Sequence, residues 1–385
     1  MDLTMKRFRT GLLDAGLHPR FTPDMLLRSS QMLAAAGGAD SLWVPDHLIS
    51  LQPQSVWTPK YVGAAHLVPR IHACYDPWLA LGYLAAKNGL ARKRLGIGVT
   101  DTGRRNPAVT AQAAATLHLL TGGRSILGIG PGERLNNEPF GVDWRTPVGR
   151  FEEAMATIRL LWDSDGAPVS RESPYFPLHN AVFDVPPYRG TRPEVWIAAH
   201  GPRMLRIAGR YADAWLPGLS IQPEDYSAGL DQIRTAASDA GRDPMAILPA
   251  VTFTILTAPT RDAVDELCES VVARTLTINA SAKMWARHGV EHPLGSTFSG
   301  AQDLLPQKLD EATMLSYAEK APSSLVRDLN MVGTPSEIVE QIAEWRDHGV
   351  RYAVLLNVSY FQHSLSKGMA ANALLVQIMR RLRRL

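Results

Sequence analysis

Between residues 94 and 138 the chain spells one strand, one helix and a second strand, with glycines and polar residues where each strand runs out. Residues 95–99 are short and apolar. Asn106 then precedes Pro107, and a proline in the first helical position loses nothing because that N–H has no intrahelical partner. Val109, Ala113, Leu117 and Leu120 recur at helical spacing and predict the buried face of that helix. Gly122 and Gly123 stop it, and residues 125–130 form the next apolar run. Two strands joined through a helix run parallel. Parallel α/β folds gather their functional groups at the carboxyl ends of the strands.

The alternation continues along the whole chain. Eight strands are predicted, at 8–13, 41–45, 95–99, 125–130, 195–199, 214–216, 247–256 and 353–357. The helices between them start with a polar residue before a proline at Thr22-Pro23, Asp76-Pro77, Asn106-Pro107, Thr146-Pro147, Gln222-Pro223 and Thr334-Pro335. Thr334-Pro335-Ser336-Glu337 also reads as a capping box. Val148, Phe151, Met155, Ile158 and Trp162 make one apolar stripe. Eight such units predict an α/β fold, a (β/α)8 TIM barrel, as one domain over residues 1–385. Long insertions follow the second strand (50–73) and the seventh (280–330), and a smaller extended excursion covers 178–192. Long loops in compact domains usually serve as functional covers.

Charge narrows the partners. Lys and Arg number 40 against 37 Asp and Glu, a net charge of +3, so no basic field argues for nucleic acid. The basic run 380–384 reads first as a solvated helix end, where cations suit the dipole, and second as a peripheral contact with anionic lipid. Two cysteines, Cys74 and Cys268, give neither a disulfide framework nor a zinc spacing, and a cytoplasmic setting is expected. The N-terminal residues lack the core and cleavage site of a secretory signal. No run approaches the roughly 18 apolar residues that span a bilayer. His288 and His292 flank Glu291 without a third ligand, so no metal is expected.

Four strand ends carry candidate chemistry. Asp46-His47 closes the second strand with an acid beside an imidazole, a pairing suited to acid–base work; the plainer alternative is a surface pair at a loop start. Gly128-Ile129-Gly130-Pro131-Gly132-Glu133 is no dinucleotide fingerprint, because Glu133 stands where the third glycine belongs and no helix opens from the turn. It reads as backbone lying close to a flat or phosphorylated ligand with Glu133 pointing in, or else as a simple tight turn. Ala198-Ala199-His200-Gly201-Pro202 ends a strand and starts a helix whose N-terminus can take phosphate. Gly98-Val99-Thr100-Asp101 offers a bulged strand end. Trp43, Trp196 and Trp215 are expected in barrel packing and His118 in a structural role. Trp57, Tyr61, Tyr75 and Trp78, in or beside the first insertion, either line an apolar channel or pack a lid.

These residues, with Leu95-Gly96-Ile97-Gly98-Val99 and Arg105-Asn106-Pro107-Ala108-Val109-Thr110-Ala111-Gln112, resemble the luciferase-like superfamily in its coenzyme F420-dependent branch. Within that branch the chain is most similar to the phthiodiolone/phenolphthiodiolone dimycocerosate ketoreductases. The resemblance implies an oxidoreductase that holds F420 with its deazaflavin at the strand ends and reduces a long-chain lipid ketone; the alternatives are an FMN-dependent luciferase-like monooxygenase and a cofactor-binding member without catalysis. It implies a cis peptide at Gly98–Val99 behind the ring. Asp46 is then expected to contact the ring, and His47 and Glu133 to do acid–base work. Gly98, Val99, Gly130, Gly132, Asn136, Ala199, His200 and Gly201 are expected to contact the cofactor. A homodimer is implied as well. Two departures stand out: Leu51 where the sugar-phosphate dehydrogenases of the branch place a tryptophan, and His200 where relatives often have glycine.

Overall fold

A computed structural model of the protein describes residues 7–14, 20, 22–89, 92–218 and 221–385. The first six residues, central to the reading of the N-terminus, lie outside it. Eight strands close on themselves: β1 (Arg9–Leu13), β2 (Ser41–Val44), β3 (Arg94–Asp101), β4 (Ser125–Gly130), β5 (Glu194–Ile197), β6 (Ala214–Trp215), β7 (Leu248–Thr257) and β8 (Tyr352–Asn357). Each pairs in parallel with the next, and β8 pairs with β1, so the sheet is a barrel. The helices α1 (Pro23–Gly37), α2 (Pro77–Lys87), α3 (Pro107–Leu120), α4 (Pro147–Asp163), α5 (Gly201–Tyr211), α6 (Pro223–Asp239), α7 (Pro335–Asp347) and α8 (Leu365–Leu382) follow the strands in turn. The (β/α)8 expectation holds, and all six polar-proline steps start helices. Asp76 accepts from the Trp78 and Leu79 amides, and the Thr334–Glu337 capping box is complete.

One expected face held only at Leu117, which is buried. Val109 and Leu120 point to solvent, and α3 buries Thr110, Ala111, Ala114, Ala115 and His118 beside Leu117. Helices that approach closely need small side chains at the contact, so reading only the large apolar residues picks the wrong stripe. His118 is structural, bonded to Ser125 and Thr191. The sequence also missed the strand Met331–Gly333, which pairs with Ile255–Thr257. Its three residues carry no alternation, and they cover a stretch of β7 that the two-residue β6 is too short to reach.

Aromatic side chains plug the barrel interior. Trp43, Trp196 and Tyr352 are fully buried, with ring centroids 5.1 Å apart for the first pair and 4.9 Å for the second. Gly96 makes room for this layer, since a Cβ there would lie 2.4 Å from the Trp43 ring. Trp215 faces outward and stacks on Tyr226 of α6 at 4.4 Å.

The two insertions form one cover. Val56 of the first packs with Leu304 and Met314 of the second and with Ile278 just before it. Gln52 donates to Thr275 and Ser55 to the Leu309 carbonyl, while Lys60 and Tyr61 both reach Glu311. Trp57 is buried edge-on against Phe361 and donates to the Val68 carbonyl. Lid packing is therefore the outcome for Trp57 and Tyr61. Tyr75 and Trp78 sit half-buried beside the main core. His288 bonds Ser324 and Asp328, whereas His292 is held between Trp285 and Phe298. In the basic tail, Arg380 donates to the Ala36 carbonyl of α1 and Arg381 to Ser336 of α7, so both pin α8 to its neighbours.

Candidate active site

The strand ends place the predicted residues on one rim. Across the β3–β4 ladder Ile97 pairs with Leu127 and Thr100 with Ile129, so Gly98 and Val99 together oppose Gly128. This is the bulge expected at that strand end, and the Gly98–Val99 peptide is cis, as the resemblance implied. Gly128 is required there, because a Cβ would lie 2.0 Å from the Ile97 carbonyl oxygen. Gly128→Ala is expected to cost about 3 kcal/mol, the upper range for overpacking; a melting temperature equal to wild type would contradict this. Beyond the bulge the walls are small. A Cβ on Gly130 would come within 3.4 Å of Val99 Cγ2 and 3.5 Å of Ala198 Cβ.

Asp46 is the most tightly held residue of the site. Its Oδ2 accepts from Thr100 Oγ1 (2.7 Å) and Arg105 Nε (2.9 Å), and its Oδ1 from Arg104 and Arg105 (3.2 Å each). Arg104 also bonds the Asp46 carbonyl and Asp101, and Arg105 reaches on to Asp76. Burial alone would raise the Asp46 pKa, but the Arg105 hydrogen bond and both guanidinium charges outweigh it and hold the carboxyl below its usual range. These bonds fix the end of β2 to the segment that leads into α3. The two arginines were missed as site residues. Their adjacency, directly after a strand end carrying Asp101, was the available signal, since buried guanidinium groups require carboxylates.

His47 and Glu133 come together as expected, from the ends of β2 and β4. His47 Nδ1 lies 3.7 Å from Glu133 Oε2, and both side chains are partly open to solvent. Between them stands Asn136, which is buried. Its Oδ1 accepts from the Leu48 and Ile49 amides (2.8 and 3.0 Å), and its Nδ2 lies 3.1 Å from both Glu133 Oε2 and His47 Nδ1. Asn136 thus links the Leu48–Ile49 turn to the His47 and Glu133 side chains. Gly132 has φ +94° and packs against Asp101. Its role is to turn the chain so that Glu133 enters the rim.

On the far side, Ala199 is fully buried at the end of β5, and Gly201 starts α5 with φ +72° and open space where a side chain would be. His200 is solvent-exposed, yet crowding by surrounding protein lowers its pKa against a hydrogen bond to the Gly218 backbone. The α5 N-terminus has no side-chain cap, leaving its amides for an acceptor.

The comparisons with known proteins agree with this geometry. Residues 18–352 match the family model for luciferase-like monooxygenases. The chain belongs to that family and is an oxidoreductase. It is 57% identical over 383 residues, 99% of this chain and 100% of the other, to a phthiodiolone/phenolphthiodiolone dimycocerosates ketoreductase of Mycobacterium tuberculosis. Among solved structures, an F420-dependent secondary alcohol dehydrogenase in complex with an F420-acetone adduct superposes with a TM-score of 0.71 at 20% identity, covering 97% of this chain and 99% of the other. The oxygenating constituent of a Pseudomonas putida 3,6-diketocamphane monooxygenase, in complex with FMN, gives 0.64 at 17% identity and 98% coverage of both chains.

Proposed function

We propose that this protein is an F420-dependent ketoreductase that converts the keto group of a long-chain cell-wall lipid to an alcohol. The convergence of His47 and Glu133 beside the Gly98–Val99 bulge carries the reading, in a chain 57% identical to a ketoreductase of such lipids. The rim fits a flat tricyclic ring: Gly98, Val99, Gly130 and Ala198 form a shallow small-residue cradle that a larger side chain would fill. Reduced F420 supplies a hydride equivalent when bound there. Ala199, His200 and Gly201, with the free amides of α5, suit the phosphate of its side chain.

The protein's own residues do the rest. The aromatic plug below closes the barrel, so a ligand enters only from the rim. The cover formed by the two insertions limits water and holds carbonyl and ring in register, and orientation of that kind supplies much of a hydride-transfer rate. His47 holds a proton at the position where the carbonyl oxygen gains negative charge, with Glu133 as the second candidate donor. Exposed Leu48, beside His47, and exposed Phe140, in the loop after Glu133, give the entrance an apolar edge that suits an alkyl chain. Leu51 in place of a tryptophan removes the match to the sugar-phosphate members.

A fluorescence titration of F420 against FMN tests the cofactor. Quenching of F420 at micromolar concentrations with no response to FMN is expected. FMN binding as tight as or tighter than F420 would replace this reading with that of a flavin-dependent monooxygenase.

A further inference from the structure

The turn that follows His47 is held by side chains from distant segments. Three consecutive amides donate to them. Those of Leu48 and Ile49 meet Asn136 Oδ1 at 2.8 and 3.0 Å, and that of Ser50 meets His72 Nδ1 at 3.2 Å. Ser50 Oγ in turn accepts from the Gln52 amide, and the Ile49 carbonyl oxygen lies 3.1 Å from His47 Nδ1. The two acceptors differ in kind. A carboxamide oxygen accepts at every pH. An imidazole nitrogen accepts only through its lone pair, and a backbone N–H can do nothing but donate. The Ser50 amide therefore requires a bare Nδ1 on His72, so the bonded ring is neutral with its proton on Nε2. A proton added at Nδ1 sets two N–H groups head to head.

We propose that His72 is a positioning residue that holds the His47 turn only while its Nδ1 is unprotonated, so that acid releases the Ser50 end of the turn and unseats the His47 imidazole. His72 stands half-buried near the end of the first insertion, and burial pulls its pKa below the usual histidine value. Its own segment carries Arg70, Cys74, Tyr75 and Asp76, while the turn and the loop beyond it carry His47 and Glu133. None of these enters the shift, which is due to burial. Asp76, the carboxylate nearest in sequence, is spent on the Trp78 and Leu79 amides and on Arg105. An imidazolium at this place thus gains no compensating charge, and the neutral, accepting ring is the form present at neutral pH. The insertion that helps to cover the rim also anchors the turn beside it. The sign of the effect sets this device apart from the titration of His47. A general acid works better as pH falls, because more of it holds a proton. Loss of the His72 bond acts in the opposite direction. The bond follows from geometry alone; its consequence for turnover rests on the ketone-reduction reading above.

The Ser50 amide reports the bond directly and needs neither cofactor nor substrate. Proton–nitrogen-15 NMR of serine-labelled protein, with the Ser50 resonance assigned by its loss in Ser50→Ala, is followed from about pH 8 to about 5. In wild type the Ser50 amide is expected to shift in one step, with a midpoint below the ordinary histidine value of 6.5. His72→Asn puts an amide oxygen close to where Nδ1 stands and does not titrate, so the amide is expected to stay bonded and the step to vanish. His72→Leu removes the acceptor and is expected to show the released amide at every pH. A Ser50 amide that ignores acid in wild type overturns the proposal. So does a step that persists in His72→Asn. Should His72→Leu fail to fold, the other two titrations still decide. In turnover with reduced F420 and a ketone, wild-type kcat is expected to fall on the acid side while His72→Asn keeps its rate there. His72→Leu is expected to lose about tenfold to a hundredfold in kcat at every pH, the usual consequence of a small misplacement of a catalytic group. Equal acid limbs in wild type and His72→Asn would overturn the link to catalysis. If no variant reduces a ketone, the functional reading has failed and the amide titration stands apart from it.

Discussion

Replacing His47 with glutamine is expected to lower kcat for ketone reduction by reduced F420 by about 10²- to 10⁴-fold, the usual reach of a positioned general acid, with the dissociation constant for F420 staying close to wild type. The imidazole stands at the end of β2, and Asn136, Glu133 and Ile49 all contact its Nδ1 edge. That leaves Nε2 as the ring atom for the substrate. Glu133→Gln is expected to have the smaller effect, because glutamine keeps an oxygen to accept from Asn136 while removing the charge. Steady-state oxidation of reduced F420 measures both. A Glu133→Gln defect larger than that of His47→Gln would pass the proton to the carboxylate, and undiminished rates in both single variants would remove the pair from the mechanism altogether.

The parts of this protein legible in the sequence are those set by local chemistry. Proline after a polar residue suits a helix start because the cap and the fixed φ act locally, and all six steps read in that way start helices. The bulge at Gly98–Val99 was legible as a glycine-bearing strand end, whereas Gly128, read as room for a ligand or a tight turn, makes room for the Ile97 carbonyl. What escaped was set by partners distant in sequence. Nothing near Asp46 announces that Arg104 and Arg105, 58 and 59 positions on, will claim both of its oxygens. An Asp beside a His at a strand end reads as a pair in chemistry without revealing these arginine partners. Asn136 is the same case: its place after a glycine-rich strand end suits a ligand contact, and nothing nearby announces that its amide also meets the Leu48 and Ile49 backbone, 88 and 87 residues earlier. The exposed face of α3 went astray because apolar periodicity does not register how close two helices come.

The Asp46 network yields the largest expected effect on stability. Asp46→Ala removes one of the two carboxylates paired with Arg104, whose side chain is 9% exposed and which keeps Asp101, and one of the two paired with Arg105, which keeps Asp76. Removing one member of a buried ion pair typically costs about 3–5 kcal/mol, since the remaining charges keep their desolvation penalty with less attraction. The damage is also placed where function depends on it. Thr100 follows the bulge directly and loses its acceptor, so β2 and β3 are no longer tied at the cofactor rim, and F420 affinity is expected to fall along with the melting temperature. Acid provides an independent check on the cause. The folded-state pKa of Asp46 is depressed below its unfolded value near 3.9, so the unfolded chain binds the extra proton first. The Asp46 contribution is thus fully present above that unfolded pKa and drains away as pH falls through the folded one. Asp46→Asn cannot titrate. The gap in melting temperature between wild type and Asp46→Asn is therefore expected to be constant from neutral pH to about 5 and to narrow below about 4. A gap that stays constant into the acid range would mean that shape, rather than charge, is what the carboxylate contributes.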